Sequence, residues 1–167
     1  MLFETKIHLI MLILLADSNK FFSLVLHGML LKAGFDHVNR VENGLECVLS
    51  FYEDDAPDVV IIDEQQCIVN GVDVLKNTLK ANPSLSIIVL TDEERKVGFE
   101  FLRKDGTALR LPKSSITSEN LPKILFSIFS KNIVETREKS ISKAFEKFRK
   151  TSNPVKIFQH IRSFLFF

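Results

Sequence analysis

The sequence has few cysteines, no long hydrophobic run and almost no net charge, and each of these absences argues against a class of protein. Cys47 and Cys67 are the only cysteines of 167 residues and form no CxxC pair or Cys/His cluster, which disfavours a metal–thiolate site. The apolar run 7–16 is too short to cross a bilayer and has no signal-peptide cleavage pattern. It therefore predicts a buried parallel strand. With a net charge of +1 and 46% hydrophobic residues, the composition is that of a folded domain with a short appendage.

The charge is distributed unevenly along the chain. Residues 132–167 carry 8 basic and 3 acidic residues, whereas residues 1–131 carry 14 basic and 18 acidic ones. An acidic body suits a cation-binding pocket, and a basic segment suits an acidic protein surface, a membrane surface or nucleic acid. The sign of the charge does not choose among these three partners. We expect one domain over 1–131 and a basic amphipathic helical tail over 132–167.

Strand-like and helix-like segments alternate over the first 131 residues. The predicted strands are 9–16, 37–41, 58–63, 85–90 and 107–111. The predicted helices run from a cap at Ser18 or Asn19 to Gly34, and over 45–51, 72–79 and 93–103, with a fifth helix after Pro122. Strands separated by helix-length segments imply right-handed crossovers. The sequence therefore predicts an α/β fold with a doubly wound, five-stranded parallel sheet.

Polar side chains follow the predicted strands at the points where ligands bind in such sheets. Asp17 and Ser18 follow the first strand, Asp63 ends the third, Thr91 follows the fourth, and Lys113 lies just past the fifth. Each residue alone is weak support, because Asp and Thr often cap the next helix and a lysine there is usually solvated. Their occurrence together at corresponding strand ends points to a functional site.

The sequence resembles the receiver domain of bacterial two-component response regulators over about residues 9–131. The segment 57–63, followed by Gly71 and an apolar helix, looks like the family's phosphoacceptor strand and loop. Asn43 and Gly44 before the second helix, and the spacing of Thr91 and Lys113, also match. The resemblance implies the flavodoxin-like strand order 2-1-3-4-5.

The same resemblance implies phosphorelay signalling in the cytoplasm by a protein that is not an enzyme. Asp63 would accept a phosphoryl group from a histidine kinase, Thr91 would bind a phosphoryl oxygen, and Lys113 would pair with the phosphate. The output would be binding to a protein target that the sequence does not identify. The ligands of a weakened Mg²⁺ site would be Asp17, Asp63, the backbone carbonyl of Gln65 and, weakly, Ser18.

Several positions depart from the family's pattern, and three of them bear directly on the site. Ser18 stands where a second acid is usual, Asp92 where a small residue admits the phosphoryl group, and Arg110 where an aromatic side chain is common. Asp92 either repels phosphate or caps the fourth helix. A second function therefore stays open, an interaction module that keeps the fold without being phosphorylated. A DNA-binding regulator with a truncated output domain ranks lower, because the tail is short for a recognition domain.

The tail has two amphipathic stripes. They consist of Ile141, Ala144, Phe145 and Phe148, and of Phe158, Ile161 and Leu165. We expect both to pack on the receiver body or, through the fifth helix or the tail, on a second copy of the chain. A membrane surface stays an open alternative as the partner of the tail, but no feature of the sequence supports it. Nucleic acid is disfavoured as a partner. The apolar end 164–167 indicates an interface or a truncation.

Overall fold

The computed structural model describes residues 11–53, 55–70, 72–92, 108–131 and Ser142. The strands are β1 (Ile13–Ala16), β2 (Val38–Val41), β3 (Val59–Asp63), β4 (Ile68–Val69), β5 (Val72–Asp73), β6 (Ser86–Thr91) and β7 (Ala108–Pro112). The helices are α1 (Lys20–Lys32), α2 (Gly44–Leu49), α3 (Val74–Ala81) and α4 (120–131). Short 3₁₀ turns cover Ser50–Tyr52, Glu64–Gln66 and Lys113–Ser115.

The main sheet has five parallel strands in the order β2-β1-β3-β6-β7. Taken in chain order, these five strands are arranged 2-1-3-4-5, so the predicted fold class and strand order are confirmed. β1, β3 and β6 are buried at every position, as expected for strands that are covered on both faces. Their carboxyl ends meet at one edge of the sheet, and the polar residues that follow them are therefore neighbours.

Alternate residues of the central strands supply two apolar cores. Ile13 and Leu15 of β1 pack in the core that includes Leu30 of α1 and Leu125 of α4. The intervening residues of β1 pack in the core on the other face, with Cys47 of α2 and with residues of α3. Each large apolar side chain buried in this way contributes about 1.5–3 kcal/mol. Since both faces are occupied by apolar packing, the polar groups are left to the ends of the strands.

The structure corrects the sequence prediction in the segment after β3. We predicted a helix over 72–79, but residues Val72–Asp73 form β5, which pairs antiparallel with β4. Helix α3 begins only at Val74, where the Asp73 side chain caps it by accepting a hydrogen bond from the Lys76 amide at 2.9 Å. An apolar helix pattern does not reveal where the first turn is replaced by a strand pair, because that choice depends on the residues across the hairpin.

Several predictions fall outside the described residues. These are the fourth helix over 93–103, Gly71, the first residues of the first strand and the tail stripes. The described residues before 132 belong to one compact unit. Within the described ranges, no helix is both long enough and apolar enough to cross a membrane.

Candidate functional site

Two carboxylates at the carboxyl edge of the sheet share one ammonium group. Asp63 is the last residue of β3, and its Oδ2 contacts the Nζ of Lys113 directly. The same Nζ lies 3.5 Å from Oδ2 of Asp17, which directly follows β1. Both carboxylates are buried, because β1 and β3 are adjacent in the middle of the sheet. The structure thus brings Asp17, Asp63 and Lys113 into one cluster.

Burial and charge act in opposite directions within this cluster. Burial raises the pKa of Asp17, although the Asn19 amide, which donates to Asp17 Oδ1 at 2.8 Å, and the nearby Lys113 favour the charged form. Burial lowers the pKa of Lys113, but the contact with Asp63 and the charges of Asp17 and Asp92 outweigh it and the net shift is upward. Lys113 also lies over the ring of Phe22, 5.1 Å from its centroid. The ammonium is therefore charged and held in place from several sides.

The turn after β3 is tied to the loops that follow β1 and β2. Asp63 Oδ1 accepts a hydrogen bond from the Gln65 amide at 2.8 Å, which starts the turn Glu64–Gln66. The Gln66 side chain donates to Ser18 Oγ at 3.2 Å and accepts from the Gly44 amide at 3.3 Å. Ser18, expected as a weak metal ligand, is thus hydrogen-bonded to Gln66. The backbone of Gln65, expected to offer its carbonyl, belongs to this anchored turn.

Gly44 is required by the close approach of this turn to the start of α2. A Cβ at residue 44 would lie 2.2 Å from the backbone oxygen of Gln66 and 2.6 Å from Cγ2 of Val74. Real Cβ atoms essentially never make contacts below 3.0 Å. The glycine of the Asn43-Gly44 pair, which matched the family's pattern, therefore has a packing reason in this chain.

Thr91 lies in a cluster with two charged residues that the sequence did not connect. Nη2 of Arg110 donates to Thr91 Oγ1 at 3.1 Å and to the two carboxylate oxygens of Glu64 at 2.9 and 2.8 Å. Arg110 was predicted only as a departure from the family's pattern, and Glu64 was missed. The two are 46 positions apart, and no local pattern relates residues at that separation.

Asp92 extends the carboxylate cluster toward solvent. Its Oδ1 lies 3.4 Å from Lys113 Nζ, and its side chain is 64% exposed. The lysine is therefore shared by three carboxylates, which are those of Asp17, Asp63 and Asp92. The helix that Asp92 was also expected to cap lies outside the described residues, so this second role stays a prediction.

The donor set fits a small divalent cation. Within the described part of the chain, Asp17 Oδ2 is buried and accepts no hydrogen bond, and its nearest cation is Lys113 Nζ at 3.5 Å. The carboxylates of Asp17 and Asp63 lie together at Lys113, and among the described residues no group of three or more His, Cys, Asp or Glu side chains forms a metal site. The backbone carbonyl of Gln65 stays an expected third ligand. Mg²⁺ binds through one or two carboxylates and keeps several waters, which matches this set.

No family model matches the chain, but two curated proteins are similar to it in sequence. The chain is 32% identical over 77 residues to the chemotaxis protein CheY of Thermotoga maritima, a match that covers 46% of this chain and 63% of that protein. It is also 32% identical over 91 residues to a protein-glutamate methylesterase/protein-glutamine glutaminase of Haloarcula marismortui, covering 53% and 24%. The chain thus spans less than two thirds of either relative.

Solved structures agree on the fold. A response regulator receiver protein from Sinorhizobium medicae superposes with a TM-score of 0.59 at 22% identity, covering 73% of this chain and 96% of that one. A CheY-like receiver domain protein from Methanospirillum hungatei gives 0.60 at 15% identity, covering 75% and 98%. Strand order and solved structures agree that the chain has the fold of CheY-like receiver domains, and its sequence is similar to the chemotaxis protein CheY over 77 residues.

Proposed function

We propose that this receiver domain is phosphorylated on Asp63 by a histidine kinase in the cytoplasm and acts by binding a protein target. The observation that carries the proposal is the contact of Lys113 with Asp63 in a pocket that also contains Asp17. A buried carboxylate next to a fixed ammonium has both a nucleophilic oxygen and a cation for the phosphoryl charge. Phosphoryl transfer depends mainly on such positioning and charge neutralisation.

In the proposed reaction, an oxygen of Asp63 attacks the phosphorus of a phosphohistidine. The P–N bond breaks as the acyl phosphate forms, and the histidine nitrogen keeps the electron pair. Lys113 pairs with the phosphoryl oxygens, and the Thr91 hydroxyl donates a hydrogen bond to one of them. Asp17, Asp63 and the Gln65 carbonyl would hold Mg²⁺, with Ser18 as a weak ligand. The bound cation would neutralise charge on the phosphoryl oxygens.

The direct test is phosphorylation of the intact chain with Mg²⁺ and acetyl phosphate, followed by intact-mass spectrometry. We expect a single phosphoryl group that is lost in Asp63→Asn. Asp58→Asn is a matched control, because Asp58 directly precedes the amino end of the same strand, and its side chain accepts a hydrogen bond from the Leu12 amide at 2.9 Å. Labelling that survives in Asp63→Asn, or is lost in the control as well, would contradict the assignment.

A second candidate function is the interaction module that is not phosphorylated. It is favoured by Asp92, whose carboxylate competes with phosphate for Lys113 at 3.4 Å. If phosphorylation occurs against this competition, Asp92→Ala should speed labelling by about two- to fivefold, as expected for removal of one exposed charge. Asp36→Ala, which removes an exposed acid just before β2 at the opposite edge of the sheet, should leave the rate unchanged.

Phosphoryl labelling of wild type and of Asp92→Ala distinguishes the phosphorylated receiver from the module that is not phosphorylated. If neither wild type nor Asp92→Ala is labelled under conditions that label a typical receiver, the module without phosphorylation is the better account. The DNA-binding alternative and a homodimer through the tail both depend on residues outside the described ranges. Removing residues after Lys131 and measuring mass by light scattering tests the dimer.

A further inference from the structure

The cluster of Glu64, Arg110 and Thr91 contains a cation that the proposed phosphorylation does not yet use. Arg110 and Glu64 are 13% and 23% exposed at their side chains, so their ion pair is partly shielded from water. Nη2 of Arg110 simultaneously contacts the Thr91 hydroxyl. The Thr91 hydroxyl is expected to bind the phosphoryl group. The ion pair of Arg110 and Glu64, which contacts this hydroxyl, therefore lies close enough to rearrange when the phosphoryl group is present.

We infer that Arg110 is a second phosphoryl-binding cation of this site and that Glu64 holds it while Asp63 is unphosphorylated. The inference rests on the proposed function, since it concerns the phosphoryl group on Asp63. On phosphorylation Arg110 exchanges the Glu64 carboxylate for phosphoryl oxygens, and Glu64 turns to solvent. Arg110 thus replaces the aromatic side chain that is common at this position with a charged one.

Distance supports the exchange. The Arg110 Nη2 is 3.1 Å from Thr91 Oγ1, and a hydroxyl hydrogen bond to a phosphoryl oxygen adds about 2.7 Å. Two hydrogen bonds in series therefore place the guanidinium within about 6 Å of that oxygen, a range in which opposite charges interact strongly. Register agrees with this, because Thr91 pairs with Pro112 and Asp63 with Leu90 at the same edge of the sheet.

Charge supports the exchange as well. A phosphoryl group carries a charge of about −1.5 to −2 near neutral pH, whereas the Glu64 carboxylate carries a single negative charge. The guanidinium fork matches phosphate oxygens in a bidentate manner. Glu64 directly follows Asp63 in the chain, so the new phosphoryl charge also repels the Glu64 carboxylate. The same event therefore attracts Arg110 and repels the Glu64 carboxylate that contacts it.

The test uses the full chain with Mg²⁺ and beryllium trifluoride as a phosphoryl mimic, with the dissociation constant measured by calorimetry. Glu64→Gln should tighten binding about tenfold because the Glu64 carboxylate no longer competes for Arg110, and Arg110→Met should weaken it about tenfold. Arg110→Lys keeps the charge without the fork and should fall between wild type and Arg110→Met. Asp36→Asn is the control for net charge and should bind like wild type.

A double variant separates this exchange from simple removal of a negative charge. If Glu64 acts by holding Arg110, Glu64→Gln should have little effect in the Arg110→Met background. In labelled wild type, the guanidinium ¹⁵N resonance of Arg110 should shift when the mimic binds. Thermal unfolding of each variant verifies that it is folded. If Arg110→Met is unfolded, the binding of the mimic is compared between wild type and Arg110→Lys instead.

The outcomes distinguish this inference from the proposed function. If wild type binds the mimic and Arg110→Met binds it equally well, Arg110 is not a phosphoryl ligand, although Asp63 remains the acceptor. If Glu64→Gln tightens binding equally in both backgrounds, its charge alone matters and the exchange is refuted. If neither wild type nor Glu64→Gln binds the mimic, both the inference and the phosphorylation of Asp63 are wrong.

Discussion

Substitution of Gly44 by alanine tests whether the turn after Asp63 is held by close packing against α2. The added Cβ would meet the Gln66 backbone oxygen at 2.2 Å, and ordinary van der Waals contacts begin at 3.4 Å. Either α2 or the turn must therefore move by about 1 Å. The obstacle is backbone and not the end of a flexible side chain, so the clash cannot be relieved by rotation about a side-chain bond.

The expected cost in the free energy of unfolding follows from two destabilising terms and one stabilising term. Overpacking of this kind costs about 1–3 kcal/mol, and weakening of the Gln66 hydrogen bonds to Gly44 and Ser18 adds about 0.5–1.5 kcal/mol. Alanine recovers at most about 1 kcal/mol over glycine within a helix. We expect Gly44→Ala to lower the free energy of unfolding by about 2 kcal/mol. We also expect it to slow labelling of Asp63, because the displaced turn begins at that residue.

The chain supplies a matched control in Gly28, which lies inside α1. A Cβ at Gly28 would meet nothing within 4 Å, so Gly28→Ala should stabilise the protein by about 0.5–1 kcal/mol. Urea denaturation followed by circular dichroism measures both variants, provided that the slopes with denaturant agree. If Gly44→Ala is as stable as wild type while Gly28→Ala behaves as expected, the close approach at Gly44 does not limit the packing.

Two further predictions follow from buried ionisable groups. Burial raises the pKa of Asp17 above its ordinary value of 3.8. Between these two pKa values the folded state binds more protons than the unfolded state, so the free energy of unfolding falls as pH rises through that window. Asp17→Asn should therefore raise the free energy of unfolding at pH 7 without divalent cations by about 0.5–2 kcal/mol, and a lower melting temperature would show that the contact with Lys113 dominates. Burial raises the pKa of Cys47 and of Cys67 to about 12, so iodoacetamide at pH 8 should alkylate both thiols readily only in urea. Rapid alkylation of the native protein would contradict the burial of these residues.

The sequence by itself determined the fold and the position of the acidic pocket. The strand Val59–Asp63 is apolar at its first four positions because parallel strands are covered on both faces, and this pattern is local. The alternation of strands with helices then restricts the topology to right-handed crossovers. Once the strands are parallel, Asp17, Asp63 and Lys113 follow their carboxyl ends, and their convergence needs no further information.

Only the tertiary structure decided which side chains contact each other around that pocket. The ion pair of Glu64 with Arg110, its hydrogen bond to Thr91, and the approach of Asp92 to Lys113 depend on side-chain directions. The antiparallel pairing of β4 with β5 was missed for a related reason, since a two-residue strand has no periodicity that a sequence can reveal. Local periodicity specifies elements because it repeats, whereas a single contact between distant residues does not repeat and is fixed only when the chain has folded.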